Sequence, residues 1–95
     1  MKYYTYIIRS SSTDSYYIGS TENLQNRLRI HNEGGYIGSS TKKANDWKVY
    51  FYIECSSRSQ AENIEKHIKR MRTRIYYRNL TIYPEMSEKL LERYK

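Results

Sequence analysis

An α+β fold, a small three-stranded antiparallel sheet flanked by helices, is predicted for this chain by three observations. Two short stretches near the N-terminus, Lys2 to Arg9 and Tyr16 to Gly19, are β-branched and aromatic, and a Ser, Thr and Asp cluster separates them. A third stretch, WKVYFYIE, alternates apolar and polar residues. Most of the remaining chain places apolar residues one helical turn apart. With 95 residues and 38% hydrophobic content, there is material for one core and not for two. A single domain over residues 1–95 is therefore expected, its core at about 3–80 and a C-terminal helix at about 84–94.

Taken in order, KYYTYIIR lacks helix formers and reads as a strand, the cluster from Ser10 to Ser15 as a turn, and YYIG as the returning strand of a hairpin. From Leu24 to His31 the apolar spacing becomes helical, with Ser20, Thr21 or Glu22 available to start the helix and the glycines of HNEGG to end it. The basic polar loop SSTKKAND follows. In the third strand, alternation puts Trp47, Val49, Phe51 and Ile53 on one face and Lys48, Tyr50, Tyr52 and Glu54 on the other. The next segment pairs Ser59 with Glu62 as a capping box, and its apolar positions Ala61, Ile64, Ile68 and Met71 make one helical stripe. The last stretch reads as two helical pieces, with Pro84 suited to the first turn of the second.

Composition narrows the partners. A formal charge of +7 and a pI near 9.5 favour a polyanion such as nucleic acid over an acidic small molecule. The lone cysteine, Cys55, excludes an intrachain disulfide and any multi-cysteine zinc site, and it fits a reducing, cytoplasmic setting as a packing residue. The N-terminus is too polar for a signal peptide, and no stretch is long enough to span a bilayer. Twelve tyrosines against one phenylalanine supply core aromatics, base-stacking surfaces or phenols that handle protons.

Several residues are placed to carry chemistry. On the first helix Arg27 and His31 project about 60° and 20° from Leu24 and so border the apolar stripe. An arginine held there partly out of water grips a phosphate with a fixed fork of donors. Glu65 projects about 40° from Ala61 on the later helix, where a carboxylate needs a partner. A magnesium ion or Arg72 would serve, and an ion pair with Lys69 is the structural alternative. Lys66, Lys69, Arg70, Arg72, Arg74 and Arg78 form a basic run without an acidic residue, interleaved with Tyr76 and Tyr77. Laid along a phosphate backbone, four to six such contacts imply a salt slope of roughly −4 to −5.

Tyr-Ile-Gly occurs twice, at Tyr17 to Gly19 and at Tyr36 to Gly38. The first copy leads into NLQNRL with Arg27, and the second into Lys42 and Lys43, which with Tyr36 would line a nucleic-acid path. Together, YTY at Tyr4 to Tyr6, YIG at Tyr17 to Gly19, Arg27 ten residues on, His31, and Glu65 in AENIEKHIK resemble the GIY-YIG nuclease domain, closest to its short stand-alone bacterial members. The resemblance runs from Tyr3 to about Leu80.

The sequence departs from the family pattern at three places. The first-motif glycine is Tyr4, a lysine that some relatives carry three residues after the second-motif tyrosine is Ser20, and the late asparagine has no clean match, Asn79 lying nearby.

The resemblance implies a metal-dependent endonuclease hydrolysing phosphodiester bonds in DNA, RNA remaining open, with repair or recombination as its setting. It implies Tyr6, Tyr17, Arg27, His31 and Glu65 as catalytic residues. Glu65 would hold one Mg²⁺ or Mn²⁺, Arg27 the scissile phosphate, and Tyr6 or Tyr17 the attacking water with His31 relaying. A free phenol has a pKa near 10, so that last role calls for a nearby cation. The rival reading is a non-catalytic nucleic-acid binding module in which tyrosines stack on bases. Glu65 separates the two, since a pure binder gains nothing from a carboxylate aimed at a phosphate. With no room for an added recognition domain, target selectivity is expected from DNA shape or from a partner protein.

Overall fold

β1, Tyr3–Ser10, is the central strand of an antiparallel sheet, flanked on one side by β2, Ser15–Thr21, and on the other by β3, Trp47–Cys55. The helices are α1, Leu24–Asn32, α2, Arg58–Met71, α3, Arg74–Ile82, and α4, Pro84–Arg93, and a 3-10 turn spans Ser40–Lys43. The computed structural model describes residues 2–34 and 40–95. The α+β architecture is as expected, and Pro84 opens α4.

β1 is buried continuously from Thr5 to Ile8 because both faces of the sheet are covered. On one face Ile7, Ile18, Ile53 and Cys55 meet Ala61, Ile64 and Ile68 of α2, Tyr77 and Leu80 of α3, and Leu90 of α4. On the other, Tyr6, Ile8 and Trp47 pack with Tyr17 and with Leu24 and Leu28 of α1. A single alternating pattern cannot serve both layers along β3, and a β-bulge resolves this. Ile7 pairs with Phe51 but Ile8 pairs with Val49, leaving Tyr50 as the extra residue. The expected grouping of Trp47, Val49, Phe51 and Ile53 on one face is thus corrected. Trp47 and Val49 lie with Ile8 on the α1 side, whereas Phe51 and Ile53 lie on the α2 side.

The helix starts also differ from expectation. α1 is capped by Asn23, whose side chain accepts from the Asn26 amide at 3.0 Å, and not by Ser20, Thr21 or Glu22. α2 is capped by Ser57, which accepts from the Gln60 amide at 3.1 Å. Gln60 reaches back to accept from the Ser56 amide at 2.8 Å. Ser57 has the extended backbone that a cap requires, while Ser59 already lies inside the helix, so the Ser59–Glu62 box does not form. Met71, expected in the apolar stripe, is 40% exposed because Arg72 turns the chain out of α2 in the left-handed region at φ 50°.

Asp46, just before β3, ties that strand to the β1–β2 turn. Its carboxylate accepts from the hydroxyls of Ser10 at 2.6 Å, Ser11 at 3.2 Å and Ser12 at 2.9 Å, and from the Ser12 amide at 2.9 Å. Hydrogen bonds from Ser10 and Ser12 hold it well below the usual carboxylate range. A depressed folded pKa stabilises the fold above the unfolded value, near 3.9 for Asp, and that stabilisation is lost as pH falls towards the folded value. Asp46→Ala is expected to lower the melting temperature at pH 7. Thermal melts across pH should show the gap between the proteins narrowing below about pH 4; a gap independent of pH would show that the carboxylate charge is not what holds the turn.

Candidate active site

Tyr6 on β1 stands opposite Gly19 on β2, and this pairing organises the site. A Cβ added at Gly19 would lie 2.5 Å from the Tyr6 hydroxyl oxygen and 2.7 Å from Cζ. Only glycine leaves room for the phenol to lie across β2, which accounts for the glycine that closes the first Tyr-Ile-Gly. Tyr6 is 1% exposed, and its hydroxyl is 2.9 Å from His31 Nε2. His31, at the end of α1, is fully buried, with Nδ1 2.8 Å from the Thr41 hydroxyl in the 3-10 turn.

Burial lowers the His31 pKa, with the Arg27 charge a smaller cause in the same direction, so the imidazole is held neutral. Burial likewise pushes the Tyr6 phenol far above its ordinary value, partly offset by the neighbouring Arg27 guanidinium. With both groups in these forms, one tautomer has the phenol donate to Nε2 and Nδ1–H donate to Thr41, leaving the phenol oxygen free to accept from Arg27. Tyr17, on β2, is only half-buried, with its ring 4.9 Å from His31 and 6.5 Å from Tyr6 between centroids.

Glu65 reaches the same edge of the sheet from α2. Its carboxylate accepts from the Ser20 hydroxyl at 2.7 Å and from Lys69 Nζ at 2.6 Å, and its charge is felt at the Tyr6 phenol. The ion pair expected from spacing alone is therefore present, made with Lys69. That same Lys69 ammonium lies 6.0 Å from the Tyr17 ring centroid. A polar cavity of about 290 Å³ opens beside Ser20 and Arg27. Five residues from four elements thus gather at the β2 edge: Tyr6 from β1, Tyr17 from β2, Arg27 and His31 from α1, and Glu65 from α2.

Among the described residues no group of three or more His, Cys, Asp or Glu could hold a metal ion. The site therefore does not suit zinc or calcium, which need several protein ligands. It does suit a magnesium-type ion, which keeps most of its waters and takes one carboxylate together with substrate phosphate. Glu65, 19% exposed and bonded to Ser20 of the cavity wall and to Lys69, is the carboxylate such an ion would take.

The basic residues divide between tasks. Lys43, Lys66, Arg72 and Arg78 are exposed, whereas Lys69 faces Glu65 and Arg70 donates to the Tyr94 hydroxyl at 3.4 Å. Arg74 ties α3 to the hairpin turn, donating to the Asp14 carboxylate at 2.7 Å and to its carbonyl at 2.6 Å, while Arg9 binds the other carboxylate oxygen at 2.9 Å. Tyr36 and the rest of the second Tyr-Ile-Gly lie outside the described residues, as does the Lys42 side chain.

A family model described as the GIY-YIG catalytic domain matches residues 2–78. The chain belongs to the GIY-YIG family. No curated protein and no solved structure matches it significantly. A GIY-YIG nuclease domain acts on nucleic acid, and nucleases of this family generally use a divalent metal. Among the described residues no helix is long and apolar enough to cross a membrane.

Two partners in this GIY-YIG site escaped sequence reasoning. Thr41 sits in a stretch read as a polar loop, yet it is fully buried against His31, and nothing in its neighbours signals that. Ser20 stood out as a candidate helix start and as a departure from the family pattern, whereas it holds Glu65. Two outcomes follow from the geometry. Gly19→Ala should destabilise the domain by about 1–3 kcal/mol in denaturant melts, because the added methyl displaces a buried ring; a neutral effect would contradict the close approach. His31, with its folded pKa depressed, stabilises the fold above its unfolded value near 6.5 and loses that contribution as pH falls. Melting temperature should therefore fall between about pH 7.5 and pH 5, and His31→Gln should flatten the decline more than His67→Gln; equal slopes in all three proteins would remove His31 from the titration.

Proposed function

We propose that this GIY-YIG domain is an endonuclease hydrolysing phosphodiester bonds in DNA, using one Mg²⁺ or Mn²⁺ held at Glu65. The observation that carries this reading is the meeting of a guanidinium, two phenols and a carboxylate from separate elements at one edge of the sheet, beside a polar cavity. Arg27 holds the scissile phosphate by charge-assisted hydrogen bonds and stabilises the charge that builds on it. When bound, the metal supplies charge neutralisation at the phosphate and at the leaving oxygen.

The two phenols take different parts. Tyr6 is buried, stays protonated and is engaged by His31, so it positions Arg27 and does not act on water. Tyr17, the more exposed phenol, orients the attacking water, with His31 packed against its ring. The exposed Lys66, Arg72 and Arg78 follow the nucleic-acid backbone, and Lys43 extends the path. DNA repair or recombination in the cytoplasm is the setting this chemistry suits, with a partner protein or DNA shape supplying the target.

Plasmid nicking with Mg²⁺, with Mn²⁺ and with chelator tests the reading. Wild type should nick only with metal. Glu65→Gln should lower the rate by at least about 10²-fold while salt-dependent DNA binding persists, and Arg27→Ala should lower kcat much more than it weakens binding. Nicking retained in the Glu65 variant would leave Glu65 as an ion-pair partner of Lys69 alone. An absence of nicking by wild type with either metal would leave a nucleic-acid binding module.

A further inference from the structure

The nuclease reading leaves unassigned most of the polar cavity that adjoins Arg27. This space of about 290 Å³ lies between the first turns of α1 and α2, bounded by Tyr3, Ser20, Asn26, Arg27, Arg58 and Glu62. One of these residues, Arg27, belongs to the gathered set, its charge acting on the Tyr6 phenol, and a second, Ser20, donates to another member, Glu65. Whatever fills the cavity is therefore in contact with the group that holds the scissile phosphate.

We propose that the cavity between Arg27, Arg58 and Tyr3 is a subsite for one unpaired nucleotide next to the scissile phosphate, so that the substrate is single-stranded or locally unpaired at the cut. The inference rests on the nuclease reading and adds a substrate class to it. Four features support it. The volume falls at the lower limit of ligand sites, which run from about 300 Å³, and so admits a nucleotide but not a base pair. Arg58 is held at the cavity by its contact with the Tyr3 ring, 5.7 Å from guanidinium to centroid, placing a second cation where a neighbouring phosphate would follow the one at Arg27.

Both helices begin here with no acidic residue inside the first turn, although Glu22 and Glu62 also line the cavity, so a phosphate is directed to the Arg27 and Arg58 side of it. Finally, the Glu62 carboxylate supplies an acceptor for an amino or imino group on the edge of a base, while the Asn26 side-chain oxygen already accepts from Arg29 at 2.8 Å. A base bonded there cannot pair with a complementary strand. Arg58 lies outside the basic run that composition points to, and it is exposed, so its removal leaves the core intact.

Labelled oligonucleotides of one sequence test this in three forms: single-stranded, fully paired, and paired except for one nucleotide beside the cut. Wild type with Mn²⁺ should cleave the first and third at least about tenfold more efficiently than the second. Arg58→Ala should erase most of that preference through KM, with a smaller change in kcat. Equal kcat/KM for all three forms, or an unchanged KM in the variant, would overturn the subsite.

Fluorescence anisotropy in chelator keeps this separable from the nuclease reading. If no form is cleaved, the nuclease reading fails. The subsite still predicts tighter metal-free binding of single strand than of duplex, a difference lost in Arg58→Ala. Identical binding of the two forms by wild type would overturn it.

Discussion

The site depends on one steric constraint: the missing side chain at Gly19 lets the Tyr6 ring cross β2 with almost no gap. Once the ring lies there, its hydroxyl meets His31, and His31 in turn needs Thr41 on its far nitrogen. The last turn of α1 is thereby tied to β1 and to the 3-10 turn, and Arg27, one turn earlier on α1, is held at the sheet edge. No flexible loop positions the guanidinium. It stands on a helix locked by a buried polar chain whose members are all satisfied, the condition under which such chains rigidify a structure.

Electrostatics complete the arrangement. A chain with a formal charge of +7 does not spread its cations evenly. Arg9 and Arg74 converge on Asp14, and both lie over the Tyr16 ring, at 5.9 Å and 5.3 Å. Arg70 is engaged with Tyr94, and Lys69 with Glu65. Part of the basic run thus also links α3 to the hairpin turn and α2 to the end of α4. Lys69 stands apart among these, since its partner is the carboxylate at the site and its ammonium faces Tyr17.

The elements with strong local signals were legible in the sequence. β1, β2 and β3, the apolar stripe Ala61–Ile64–Ile68 and the proline start of α4 all follow from residue type and spacing. So did the border positions of Arg27, His31 and Glu65, because helical periodicity alone puts them beside an apolar stripe. What could not be read were features set by two segments at once. The bulge at Tyr50 arises because β3 serves cores on both faces of the sheet, and strict alternation assumes one. The caps at Asn23 and Ser57 replaced the neighbouring serines Ser20 and Ser59, which have similar capping propensity, a choice made by where the chain leaves the sheet. Thr41 and Ser20 became partners of His31 and Glu65 only through contacts across the fold.

The Tyr50 bulge has a consequence of another kind. Among the described residues β3 is an outer strand of the sheet, and an outer strand with regular hydrogen-bonding groups is a template on which a second chain can add. An inserted residue breaks that template by coiling the strand and spoiling its repeat, and Lys48 next to it places a charge that an incoming strand would have to bury. The irregularity that lets β3 cover two layers therefore also discourages edge-to-edge self-association, which matters for a small domain whose exposed tyrosines and valine would otherwise invite it.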